Sequence, residues 1–213
     1  MKNVRIFYTK KDRMKFVSHL DMNRFMSRMI KKAKLPIWHT EGFHPHPYIA
    51  FALPLSLGFE SEYEVLDLRL VDDDYPLEKV VESLNKVFPP YVRAFDACEP
   101  ITKVGKIAFA DFSVTFNGDG VQSNELESFL NSESIIVSKR TKKGAFKEID
   151  IAPKIKAYSI TENTLKITLP AGSEDNLNPE LLLDAFFEKH SSVYCSYSVT
   201  RTMIYDNDMK IFK

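Results

Sequence analysis

The segment His39-Thr40-Glu41-Gly42-Phe43-His44-Pro45-His46-Pro47 holds three of the chain's five histidines within eight residues. On a strand, positions two apart share a face, which would turn His44 and His46 toward one ion or one substrate group. Pro45 and Pro47 fix φ on both sides of His46. Gly42 can supply a left-handed turn just before them. A metal would need a third ligand, and His19, Asp21, His39 and Glu41 are the candidates. No partner spacing supports one, so neither a metal nor a cofactor is assigned. A structural turn with part-exposed imidazoles, and contact with a nucleic acid or substrate, are the other two readings.

A second cluster opens a helix. Ser18 can cap, and Asp21 sits three residues on, near the positive end of the dipole. His19 there resists protonation and would stay neutral near pH 7 as a base. His19 and His46 are therefore the candidate catalytic groups. Ser18, His19 and Asp21 lie too close in sequence to face one another as a triad, and the chain has no Gly-x-Ser-x-Gly elbow. It has no phosphate-binding or dinucleotide-binding glycine motif either. Along the helix, Arg24, Arg28 and Lys31 or Lys32 recur every three or four residues and share a face. That face is either an ordinary solvated surface or a phosphate track, since arginine forks fit phosphate oxygens. Trp38, Phe43, Tyr48 and Phe51 follow, and rings beside cations suit unstacked bases of single-stranded RNA.

The elements that position these groups follow from periodicity. Val4, Ile6 and Tyr8 alternate with Arg5 and Phe7 as a strand. A helix is predicted over about 20–34, ended by Pro36. Strands are predicted at 47–53 and 62–70, a helix at 76–88 and a strand at 91–97. This β-α-β-β-α-β order recurs after Pro100. Strand 107–116 is followed by helix 123–131, capped by Ser123. Two strands are predicted near 134–150 and 154–169, with a hairpin around Lys142-Lys143-Gly144. Helix 179–190 and strand 193–205 complete the chain. The fold class is α+β, as two tandem ferredoxin-like modules spanning 1–100 and 101–213. One fused α+β domain with a larger sheet is the alternative.

Charge separates along the chain although 29 Lys/Arg balance 29 Asp/Glu. Residues 1–48 carry 11 basic against 3 acidic groups, and residues 49–100 carry 4 against 11. A second basic run occupies 139–156. This excludes a uniformly basic protein and leaves room for an anionic partner on a local face. No apolar run is long enough to span a bilayer, and no signal peptide is read at the start. A cytoplasmic protein is expected. Two distant cysteines, Cys98 and Cys195, argue against a disulfide framework.

Two separated motifs together resemble a known family. They are Phe16-Val17-Ser18-His19-Leu20-Asp21 with Arg24 and Arg28, and Gly42-Phe43-His44-Pro45-His46-Pro47. Leu35-Pro36 stands between them, and Phe51, Leu53-Pro54-Leu55, Gly58, Ser61-Glu62 and Glu64 follow. The pattern is similar to the radical-SAM-associated (radical-SAM-linked) family of unknown function, found alone or at the C-terminus of cobalamin-type radical SAM proteins. His44 stands where that pattern carries asparagine. The resemblance implies an accessory to a radical SAM enzyme that acts on RNA or the translation apparatus. The chain is not such an enzyme itself, because two cysteines cannot provide the three thiolates of its cluster. At the level of fold alone, tandem ferredoxin-like modules with a histidine at the first helix also look like CRISPR repeat-processing endoribonucleases. Three functional readings follow. The first is an RNA-binding or substrate-presenting module using Ser18, His19, Arg24, Arg28, Lys31, Lys32, Gly42, Phe43, His44 and His46. The others are a metal-independent endoribonuclease and a protein–protein adaptor.

Overall fold

The computed structural model describes residues 1–118, 121–140, 146–190 and 195–213. It is an α+β structure with two compact units, Met1–Lys106 with Ile211–Lys213, and Ile107–Lys210. The sequence divides the chain at Pro100. The structure divides it after Lys106 and returns the last three residues to the first unit. Contacts explain that return. Lys213 O accepts from Thr102 N at 2.8 Å, Phe212 O accepts from the Tyr63 hydroxyl at 3.1 Å, and the Phe212 ring lies 4.4 Å from the Arg5 guanidinium.

The first unit contains β1 (Lys2–Lys10), α1 (His19–Lys32), β2 (Ile49–Phe51), β3 (Glu60–Leu70), α2 (Leu77–Asn85) and β4 (Val92–Cys98). Its strands lie in the order β4-β1-β3-β2, and every pairing is antiparallel. Val4, Ile6 and Tyr8 of β1 and Leu66, Leu68 and Leu70 of β3 share a core with Met22, Met26 and Ile30 of α1 and Val80 and Leu84 of α2. The four-residue spacing on both helices places those side chains on one face. Residues Val4 to Tyr8 are nevertheless all buried, not alternately. Arg5 and Phe7 are covered on the other face, by Phe212 over Arg5 and by the Tyr63 ring against Phe7 at 5.2 Å. Two hydrogen bonds finish α1: Leu35 N to Ile30 O at 3.4 Å and Lys34 N to Lys31 O at 3.1 Å, with Lys34 at φ 55°. This left-handed C-terminal closure ends the helix before Pro36 is reached.

The second unit contains β5 (Ile107–Asn117), α3 (Ser123–Leu130), β6 (Ile136–Arg140), β7 (Phe146–Asp150), β8 (Ala157–Thr161), β9 (Thr164–Pro170), α4 (Pro179–Lys189) and β10 (Ser196–Asp206). Four strands lie in the order β10-β5-β9-β8, and β6 pairs with β7 separately. The stretches 134–150 and 154–169 thus each hold two strands. In the second, Glu162 turns the chain at φ 52° between β8 and β9. The turn expected at Lys142-Lys143-Gly144 lies outside the described residues. Gln122, not Ser123, is the N-cap of α3, and the Ser123 hydroxyl donates to Glu162 O at 3.2 Å. Phe129 of α3 and Phe186 of α4, both buried, meet edge to face with centroids 5.4 Å apart.

Gly172 follows β9 at a tight approach. A Cβ there would lie 2.7 Å from Ile107 O, a backbone atom that cannot swing aside. Gly172→Ala should therefore cost about 1–3 kcal/mol, the usual penalty for overpacking, measured by urea denaturation. An unchanged midpoint would show that β5 yields at its first residue.

Two tyrosines give the fold an alkaline limit. Burial first, then Cys98 and Asp96, pushes Tyr63 up from 10.0 to about 12. Burial, then the Asp111 carboxylate 2.7 Å away, pushes Tyr205 from 10.0 to about 12. Both must stay neutral in the folded chain. Their contribution is intact below pH 10, where neither state ionises them. It is lost as pH rises toward 12, because the unfolded chain releases its protons first. The urea midpoint should fall across that window, and Tyr63→Phe or Tyr205→Phe should flatten the fall.

Candidate functional site

Ser18 caps α1 from extended backbone, at φ −64° and ψ 160°. Its hydroxyl accepts from Asp21 N at 3.2 Å and donates to Asp21 Oδ2 at 2.8 Å. Asp21 Oδ1 in turn accepts from Arg24 Nη1 at 3.2 Å. Ser18 and Asp21 are therefore occupied in starting the helix, a cap worth about 1 kcal/mol. His19 is exposed, and its ring meets the Phe51 ring edge-on at 5.1 Å. Among the described residues His19 has no hydrogen-bond partner. A general base is oriented by a second hydrogen-bonding group, and among the described residues none stands beside His19.

The α1 surface opposite the buried methionines is a row of exposed cations: Arg24, Arg28, Lys31 and Lys32. Among the described residues only Arg24 is paired, to Asp21, and both members are more than half exposed. Such a pair contributes about 0.3–0.5 kcal/mol and exchanges readily with another anion. Arg28, Lys31 and Lys32 have no ion pair among the described residues.

The histidine-rich segment is the tip of a short hairpin, not a strand. Ile37 bridges to Leu70, and Trp38 N donates to Arg69 O at 2.8 Å. Tyr48 N donates to Trp38 O at 3.0 Å, and His39 bridges to Pro47. Thr40 closes the tip. Its N donates to His46 O at 2.9 Å, its Oγ1 accepts from His46 N at 3.2 Å, and Oγ1 also meets His46 Nδ1. Gly42 adopts φ 134°, a conformation that L side chains rarely enter. His44, His46 and Phe43 are exposed, Phe43 completely. Because residues 44–46 precede β2, strand alternation does not bring the two imidazoles together. No hydrogen bond joins either of them to His19 among the described residues. The extended run from 47 to 51, at about 3.3 Å per residue, separates His46 from the Phe51 ring on which His19 rests. Among the described residues no group of three or more His, Cys, Asp or Glu side chains could hold a metal ion. Both cysteines are free thiols.

Of the second basic run, residues 141–145 lie outside the described residues. Lys154 pairs with Asp175 at 2.5 Å, and Lys156 lies 5.9 Å from the Phe109 ring. No helix among the described residues is long and apolar enough to cross a membrane.

Sequence patterning passed over a polar cluster on the sheet face of the first unit that turns away from the helices. The register sets Arg5 opposite Asp67 and Asn3 opposite Arg69. Arg5, only 1% exposed, donates from Nε and Nη2 to the two Asp67 oxygens, both at 2.7 Å, and from Nη1 to Thr102 O at 2.8 Å. Beside it is a cleft of about 400 Å³ walled by these four residues, Tyr48 and the 100–104 segment. Its one advance signal was charge at alternate positions of otherwise apolar strands. No curated protein matches the chain. Residues 3–179 match the family described as an uncharacterized protein conserved in bacteria, DUF2344, and the chain belongs to that family.

Proposed function

We propose that the chain is an accessory module that binds RNA, or presents a substrate, for a radical SAM enzyme. The row of cations on α1 carries this reading, because three of its four members are exposed and without an ion pair among the described residues. The cations can track phosphates while the fully exposed Phe43 and the imidazoles of His44 and His46 meet a base or the partner. The radical SAM partnership rests on the resemblance of the two motifs at 16–28 and 42–47. Each unit is read as a ferredoxin-like module. The observed orders β4-β1-β3-β2 and β10-β5-β9-β8 place corresponding strands of the two units identically, with the β6–β7 hairpin as an insertion. The endoribonuclease reading has less support: among the described residues no hydrogen bond orients the His19 ring, and of the two candidates only His46, through Thr40 Oγ1, has such a partner.

The test is a pull-down from native cells with RNA and protein both identified, followed by incubation of the purified chain with that RNA. The expected result is intact RNA recovered together with a radical SAM enzyme. Cleavage products would make the chain an enzyme, and recovery of proteins without RNA would make it an adaptor.

A further inference from the structure

We infer that the cleft on the helix-free sheet face of the first unit is a binding site for a nucleoside monophosphate group, built around Arg69. This site is separate from the α1 surface and does not rest on the RNA reading.

Arg69, itself partly exposed, is held by three neighbours. Its Nε donates to Asn3 Oδ1 at 3.0 Å. Its guanidinium lies 4.6 Å from the Tyr48 ring centre and 5.1 Å from that of Trp38. One amide and two rings therefore fix the plane of the group, while Nη1 and Nη2 have no partner among the described residues. A pre-oriented fork with its terminal donors free suits a phosphate, which takes two parallel N–H···O bonds.

The charges in the cleft agree. Arg5 is spent on Asp67 and the Thr102 carbonyl, so this pair adds no net charge. Arg69 and Lys103 remain, and neither has an ion pair among the described residues. Two uncompensated cations match a phosphate dianion better than a single carboxylate. The remaining wall is apolar, from Tyr48 to Pro100 and Ile101, and Ile101 is 80% exposed. A flat base can lie there, as bases do against rings beside arginine. The volume of about 400 Å³ lies within the range of small-ligand sites.

The same chemistry comes from a free nucleotide or from the 5′-phosphorylated end of an RNA, and titration separates them. Trp38 is the only tryptophan, and its ring borders Arg69, so its emission reports on the site. Adenosine and uridine monophosphates, their nucleosides, and a short oligoribonucleotide with and without a 5′-phosphate are titrated into the full chain. Saturable change with the monophosphates assigns a free ligand. Saturation by the 5′-phosphorylated oligonucleotide alone assigns a chain end. In either case Lys103→Ala, at an exposed position, should weaken binding about tenfold, the loss of one charge-assisted contact. Arg69→Lys keeps the charge but loses the fork and should weaken it similarly. Lys79→Ala, on the exposed face of α2, should leave it unchanged. No saturable change with any phosphorylated ligand overturns the proposal, as does equal binding of the nucleosides or indifference to Lys103→Ala.

Discussion

Asp67→Ala should lower the unfolding free energy by about 3–5 kcal/mol, the cost of stranding a buried charge. The carboxylate is the only acid that meets the Arg5 guanidinium among the described residues, through two bonds of 2.7 Å. Arg5 is 1% exposed, with the Phe212 ring over its guanidinium, so its charge stays out of water. The Thr102 carbonyl and the Phe212 ring would remain, but neither carries a compensating charge. Urea denaturation of the single variant measures the loss. The double variant Arg5→Met with Asp67→Leu should recover most of it, because replacing a buried pair by apolar groups removes the desolvation cost together with the attraction. A single variant within about 0.5 kcal/mol of the parent, the range of ordinary surface changes, would show that water reaches Arg5. The pair also bears on the cleft. It holds the floor on which Arg69 and Asn3 lie, and through Thr102 it fixes the 100–104 wall.

The elements that hold α1 were legible because their signals are local. Ser18 and Asp21 announce a cap within four residues, whereas the apolar side reads either as Leu20, Phe25, Met29 and Ala33 or as Met22, Met26 and Ile30, and packing selects the second. The turn between β8 and β9 was missed because it uses Glu162 and Asn163, with no glycine or proline to mark it. Ser123 reads as a cap but is none, for a related reason. A hydroxyl beside a helix start caps only if its backbone is non-helical, and the residue in that conformation is Gln122. The hairpin at 37–48 reads as a turn from Gly42 and its prolines, yet its tie to Arg69 is a long-range event. The polar cluster is longer-range still. Asn3 and Arg69 stand 66 residues apart and meet only through the β1–β3 register, which no local pattern states. Arg5 inside an apolar strand was the one visible clue, since a charge at such a position is buried only with a partner.

Replacing Arg24 and Arg28 with alanine should weaken RNA binding on all sequences alike and flatten its salt dependence. Each phosphate contact on a single strand contributes roughly 0.7 to the slope of log affinity against log salt. Two lost contacts remove roughly 1.4, which amounts to roughly 25-fold weaker binding at about 0.1 M salt relative to a 1 M reference. The two arginines should not contribute equally. Arg24 must give up its 3.2 Å contact with Asp21 to reach a phosphate, whereas Arg28 gives up no ion pair. Arg28→Ala should therefore cost more affinity than Arg24→Ala. Asp21→Asn should strengthen binding slightly, by releasing Arg24 and removing a like charge from the path of the strand. Stability is not at issue in the arginine variants, because both arginines lie on the exposed side of α1, away from Met22, Met26 and Ile30. The measurement is a fluorescence-anisotropy titration of a labelled single-stranded RNA at several salt concentrations. A slope identical to the parent's would make the α1 cations a solvated helix face and leave any RNA contact to the hairpin at 37–48.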